Sequence, residues 1–215
     1  MKIREFRAAA REALKGNWCV AVVAGIVFSL FANFSVALDI NAENYTNAIL
    51  AAGLSSEQIL SVSGVVLAVA LLNIILVSLV TVGYAQFNID LIDGERPRII
   101  TLFTKWRQIG KAVVASLLVT LRVFLGMILF FIPGIIAAYS HAMVYHILAE
   151  NPDMTVREAM AESRRIMKGN KFRFFRLQFS FIGWYLLVAI TFGIASLWVV
   201  PYEQAAIAAF YNEIK

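Results

Sequence analysis

The chain has 215 residues, 60% hydrophobic and 15% charged, with a mean hydropathy of +0.76, against roughly 45–50% apolar and about 25% charged in a soluble domain. A domain of this size still needs a polar skin, so a water-soluble globule is excluded, and long apolar blocks rich in Phe exclude the short alternating strands of an outer-membrane barrel. One cysteine, Cys19, excludes an internal disulfide, and the net charge of +5 fits basic loops facing anionic head groups rather than nucleic acid, for which no binding module is present.

In chain order, segment 1–17 is basic and amphipathic, with Ile3, Phe6, Ala10, Ala13 and Leu14 on one helical face beside Arg4, Arg7, Arg11 and Lys15. The first apolar block covers about 18–38. Its basic front and Ser35-Val36-Ala37 are also compatible with a signal peptide, but the basic stretch and apolar run are too long for that, so an uncleaved span is expected. The second span falls at about 59–89, after a Ser55-Ser56-Glu57-Gln58 capping box, and its helix is expected to run on to Asp93 and end at Gly94. The weaker amphipathic pattern of Leu102, Phe103, Trp106 and Ile109 predicts a short helix over 99–111.

The apolar run 112–149 is too long for one crossing. Pro133-Gly134 divides it into spans of about 112–132 and 134–149 joined by a tight turn. Segment 150–176 opens with a Thr155-Val156-Arg157-Glu158 capping box, and its helix gathers Val156, Ala159, Met160, Ser163, Ile166 and Met167 on one face. Gly193 and Pro201 split the last block into spans of about 177–193 and 195–211, with one long span as the alternative. Leu14-Lys15-Gly16-Asn17 and Met167-Lys168-Gly169-Asn170 repeat one pattern: Lys at the negative end of a helix, then Gly as a left-handed cap.

The expected fold is therefore an all-α polytopic membrane protein: one domain over 1–215, six transmembrane helices arranged as three hairpins, and basic amphipathic helices on the cytoplasmic side. Segments 1–17, 90–111 and 150–176 carry five, five and seven Lys or Arg residues, which places them and both termini in the cytoplasm. Lys215 joins this set, and Arg122 is the one basic residue left inside a span.

The motifs also carry a resemblance. Ala10-Arg11-Glu12-Ala13-Leu14-Lys15-Gly16-Asn17-Trp18, Ile132-Pro133-Gly134-Ile135-Ile136, Ala149-Glu150-Asn151-Pro152, Met167-Lys168-Gly169-Asn170, Phe179-Ser180-Phe181-Ile182-Gly183-Trp184 and Leu197-Trp198-Val199-Val200-Pro201-Tyr202 resemble the bacterial integral membrane protein family called domain of unknown function 975. The resemblance spans nearly the whole chain and is weakest over 39–61. It implies a cytoplasmic (inner) membrane location in a bacterium and supplies no activity. A more distant similarity to membrane domains found beside glycerophosphodiester phosphodiesterases points towards lipids by analogy alone.

Arg122 is the sharpest candidate site, because a charge at mid-bilayer costs about 2.5–3.5 kcal/mol even on the mildest scale. Three readings stand open: an ion pair with Glu203, an anchor for an anionic ligand, or snorkelling. Arg4, Arg7, Arg11, Lys15, Arg157, Arg164, Lys168, Lys171 and Arg173 are candidate contacts to anionic inner-leaflet lipids. Alternatively, the amphipathic helices that carry them plug the cytoplasmic end of the bundle. His141 and His146 are five apart, on opposite helical faces and without further ligands, so no metal is expected. Asn33 and Asn73 read as interhelical hydrogen-bonders. The carboxylate pairs Asp39 with Glu43 and Asp90 with Asp93 read as loop-border acids. No hydrolase elbow, zinc-protease helix or phosphate loop is present, and no cofactor is expected. The sequence thus points to a non-enzymatic module that binds lipid or a membrane partner protein. The alternative is a small transporter or channel for an anionic or amphiphilic solute, and an intramembrane enzyme comes last.

Overall fold

The computed structural model describes residues 3–31, 56–129 and 131–215, and among them every regular element is helical. The expectations for Asn33, Ser35-Val36-Ala37, Asp39, Glu43 and the start at Ser55 of the capping box before the second span lie outside the described residues.

Helix α1 (Ile3–Leu14) meets α2 (Trp18–Phe31) at 105°. The long α3 (Ser56–Ile92) is followed by the single turn α4 (Thr101–Thr104) and a 3-10 turn, Trp106–Gln108. Then come α5 (Ile109–Leu129), α6 (Phe131–Ser140), α7 (Val144–Glu150), α8 (Val156–Ile166), α9 (Lys171–Phe179), α10 (Ile182–Ile190) and α11 (Ser196–Ile214). The bundle is organised around α11, with α1 and α3 packed along it. Ala205, Ala206, Ala208 and Ala209 are all buried, because small side chains let neighbouring helices close in from several sides. On its outer side α3 carries α4, α5 and α7.

Helix ends follow the local chemistry. Gly16 and Gly169 take φ of +82° and +84°. After each, an Asn amide reaches back to the last turn, Asn17 Nδ2 to the Ala13 carbonyl at 3.2 Å and Asn170 Nδ2 to that of Ile166 at 2.9 Å. The repeated Lys-Gly-Asn is thus one helix-terminating device used twice, supplying partners for carbonyls the helix leaves open. Gly94, at φ +81°, ends α3 in the same left-handed conformation. At the start of α8 the Glu158 N–H donates to Thr155 Oγ1 and the Thr155 N–H to Glu158 Oε2 (3.4 and 2.8 Å), a complete capping box.

Three expectations are corrected. The first apolar hairpin does not turn at Pro133-Gly134: α5 ends at Leu129, and Pro133 lies in the first turn of α6, where its missing N–H costs nothing. Gly134 serves close packing instead, its Cα lying 3.0 Å from where a Gly126 Cβ would be. The second hairpin turns through residues 191–195, with φ +49° at Phe192 and +91° at Gly193. Pro201 sits inside α11 rather than in that turn and packs against Gly25, an added Cβ at which would lie 3.5 Å from the ring. The amphipathic helix expected over 99–111 is broken into α4 and the 3-10 turn, because the Leu102 backbone is pressed onto α3 at Gly83.

Among the described residues three stretches are long and apolar enough to cross a membrane: Ile109–Ile128, Ile132–Glu150 and Lys171–Ile190. The bent α1–α2 pair makes a fourth only if counted as one span, against six expected. Stretch 195–211 drops out because α11 is the protein's own core and carries Glu203, Gln204 and two tyrosines within it. The fifth stretch starts at Lys171, earlier than the expected 177, so Lys171, Arg173 and Arg176 belong to its first turns. Large apolar side chains remain outside on these stretches, among them Leu121, Phe124 and Ile128 of α5 and Ile182, Leu186 and Ile190 of α10.

Candidate anion-binding groove

The amphipathic pattern of α1 positions the site. Phe6, Ala10 and Leu14 are fully buried, and Phe6 meets Phe210 of α11 edge-on, with ring centroids 5.4 Å apart. That anchoring face turns the arginines of α1 towards α9. On α9, Phe174 and Leu177 are buried in the core. Arg173 and Arg176 point the other way, into a groove of about 710 Å³ that is also lined by Arg4, Arg7, Ile3 and Ser180. Two helices far apart in sequence thus bring four guanidinium groups together.

The four arginines are held differently. Arg7 donates through Nε to the Tyr202 hydroxyl (3.2 Å) and through Nη1 to the Ser180 carbonyl (3.4 Å), and the hydroxyl donates back to the Arg7 carbonyl. Its guanidinium also lies 5.4 Å from the centre of the Phe181 ring, a cation–π contact that holds it in place. Arg173 is fixed by Asn170 Oδ1 (2.9 Å) and by an ion pair with Glu213 (2.6 Å). Arg4 and Arg176 are exposed. No described carboxylate pairs with Arg4, Arg7 or Arg176. Three uncompensated cations around one groove create a positive field that favours an anion, and the planar guanidinium fork suits phosphate oxygens.

A second, apolar pocket of about 340 Å³ is lined by Tyr202, the hydroxyl partner of Arg7, together with Trp18, Trp184, Trp198, Val199 and Arg11. Indole rings favour the boundary between lipid and water, so groove and pocket together offer a charged end beside an apolar one.

The structure sorts the sequence candidates. Arg4, Arg7 and Arg173 line the groove, and Arg11 borders the tryptophan pocket. Lys15, Arg157 and Lys168 stand exposed outside either one. Arg164 and Lys171 act electrostatically with Arg122 on His141, forming a separate basic neighbourhood. Sequence reasoning passed over Arg176 and Ser180. The signal is there in the spacing of Arg173 and Arg176, which share one side of a helix, but the boundary expected between cytoplasmic segment 150–176 and the span after it cuts α9 between Arg176 and Ser180.

Arg122 and Glu203 are not brought together. Arg122 Nη1 lies 3.2 Å from His141 Nε2 and 4.0 Å from Met160 Sδ of α8. His141 Nδ1 lies 2.8 Å from the Ala137 carbonyl and must donate to it, leaving the Nε2 lone pair to accept from the guanidinium. Arg122 therefore sits level with amphipathic α8, where Ser163 Oγ also donates to the Ser140 carbonyl at 2.9 Å. Glu203 accepts instead from the Tyr185 hydroxyl of α10. The carboxylates of Asp90 and Asp93 are taken up by the Gln86 and Asn212 amides, at 2.6 and 2.7 Å. Among the described residues no group of three His, Cys, Asp or Glu side chains is placed to hold a metal ion.

No curated protein and no solved structure matches the chain. Residues 126–215 match the model of a family described as protein of unknown function (DUF975). The matched region holds the α9 wall of the groove and the second Lys-Gly-Asn cap, and over it the chain is similar to that family.

Proposed function

We propose that the chain is a non-enzymatic, multi-pass module of a bacterial inner membrane that binds anionic lipid at the cytoplasmic leaflet, with the groove between α1 and α9 as its site. One observation carries this reading: Arg4, Arg7 and Arg176 converge on a groove with no described carboxylate paired to them. The tryptophan pocket supports a ligand with an apolar part next to its charge. Both termini are cytoplasmic in this reading, since the basic segments cluster on that side.

The test is native mass spectrometry of the full chain reconstituted with equal amounts of phosphatidylglycerol and phosphatidylcholine. Wild type is expected to retain phosphatidylglycerol selectively. An Arg4→Gln/Arg176→Gln double variant is expected to lose roughly thirtyfold in affinity, at about 1 kcal/mol per basic residue near an anionic surface. Arg157→Gln, on the exposed side of α8, serves as the control and retains the lipid. Equal retention of both lipids by wild type, or full retention by the double variant, overturns the reading.

A further inference from the structure

Arg122 lies well inside the apolar stretch Ile109–Ile128. It is exposed there, and so are Leu121, Phe124 and Leu125 around it. Its neighbours leave it short of partners. A guanidinium carries five N–H donors, yet Nη1 alone is engaged, by His141 Nε2 at 3.2 Å and more weakly by Met160 Sδ at 4.0 Å. The remaining donors meet no oxygen among the described residues. A charge on an apolar, spanning helix usually pairs with something or marks a ligand path.

Two more cations come from other helices. Arg164 follows Met160 by one turn of α8 and shares its face. Lys171 opens α9 one turn before Phe175, whose ring meets that of Tyr139, close to His141 in the chain, at 6.3 Å. Both lie near enough to His141 to act on it electrostatically, as Arg122 does. Arg164 is exposed and Lys171 half-buried. The acids of the same elements do not offset them. Helices α5, α6 and α9 contain no Asp or Glu. Glu158 and Glu162 lie roughly 200° round α8 from Met160, and there Thr155 and Arg165 take them. Glu150, at the end of α7, is held by Tyr211 and Lys215. No described carboxylate pairs with Arg122, Arg164 or Lys171.

The donor set states what kind of anion fits. A guanidinium fork suits phosphate oxygens, and a phosphomonoester offers three terminal oxygens and close to two negative charges, one oxygen for each cation. A phosphodiester, with two free oxygens and one charge, leaves a cation unmatched. We infer that Arg122, Arg164 and Lys171 form a second anion site, which takes the terminal phosphomonoester of a lipid head group or of a soluble ester. The exposed apolar flank of α5 favours the lipid. This site shares no residue with the groove between α1 and α9 and does not rest on the reading given to that groove.

The test uses the full chain labelled with 15N-histidine, because His141 Nε2 is bonded to Arg122 and reports on it. The chain has two histidines, so His141→Phe assigns the resonances, and His146→Phe does so if the first variant fails to fold. Phosphatidylcholine nanodiscs are doped with increasing phosphatidic acid or phosphatidylglycerol, or titrated with glycerol 3-phosphate. Phosphatidic acid is expected to move the His141 ring nitrogens saturably, at a fraction at least tenfold below phosphatidylglycerol, while those of His146 stay in place. Saturation by glycerol 3-phosphate alone assigns a soluble ester instead. Arg164→Gln and Lys171→Gln, both on the surface, are each expected to weaken the effective probe at least fivefold, and Arg4→Gln/Arg176→Gln to leave it unchanged. No saturable shift with either phosphomonoester overturns the inference. So does an equal response to phosphatidylglycerol, a shift that survives intact in both single variants, or its loss in the groove variant.

Discussion

At the scale of single residues, the tightest constraint is at Gly83. A Cβ there would lie 2.0 Å from the Leu102 carbonyl oxygen, backbone against backbone, so neither side can yield by rotating a side chain. Gly83→Ala is expected to destabilise by about 1–3 kcal/mol or more, in the range of overpacked cores. Gly64→Ala in the same helix, with nothing within 4 Å, is expected to be neutral or stabilising. Thermal unfolding of the two variants side by side checks this. The partner exchange around Arg122 gives a second expectation. A double-mutant cycle of Arg122→Gln with Glu203→Gln should show coupling below about 0.5 kcal/mol, while Arg122→Gln with His141→Phe should show roughly 0.5–3 kcal/mol. A strong Arg122–Glu203 coupling would contradict the observed contacts. Sequence alone singled out Arg122 and Glu203 as the buried charges in need of partners, but choosing partners requires depth and rotation. Those depend on where α5 ends, and that point moved once Pro133 took up the first turn of α6.

At the scale of elements, the amphipathic helices were the most legible part. Every residue assigned to the apolar face of α8 is buried, from Val156 to Met167, and so are Phe6, Ala10 and Leu14 of α1. What periodicity cannot tell is whether an apolar stripe faces lipid or protein, since both reward the same pattern. Here the stripes face protein, so these helices close the end of the bundle and leave only their basic flanks for head groups. The capping box of α8 makes this helix sensitive to acid. The Thr155 hydroxyl and N–H hold the Glu158 carboxyl below its usual range. A carboxyl with a depressed folded-state value contributes stability that is present above its unfolded value and lost as pH falls through the folded one. Hydrogen-exchange protection in α8, taken relative to the intrinsic exchange rate at each pH, should therefore fall as pH drops below the ordinary carboxylate range. Thr155→Ala should remove most of that dependence.

At the scale of the whole molecule, the composition announced a lipid-facing protein, and the apolar residues left outside on α5, α6 and α10 agree with it. After alkaline carbonate washing the chain is expected to stay with the membrane pellet, and recovery in the supernatant would argue against spanning helices. The number of spans was harder to read. Hydropathy counts apolar length, and α11 is apolar because it is wrapped by α1 and α3 rather than by lipid. The groove was legible only in its parts, since Arg4 and Arg176 are brought together by α1 packing on α11 and by the fold-back of α9.

Helix α9 has a consequence of its own. Arg173, Arg176 and Ser180 give one side of this segment to the basic groove, while Phe174 and Gln178 give the other to a separate hollow of about 240 Å³ that Tyr84, His146 and Gln204 also line. Roughly two turns of helix thus form a party wall, and whatever steadies it from one side steadies the other. Anionic lipid seated in the groove is therefore expected to slow hydrogen exchange at Phe174 and Gln178, on the far side of the same helix.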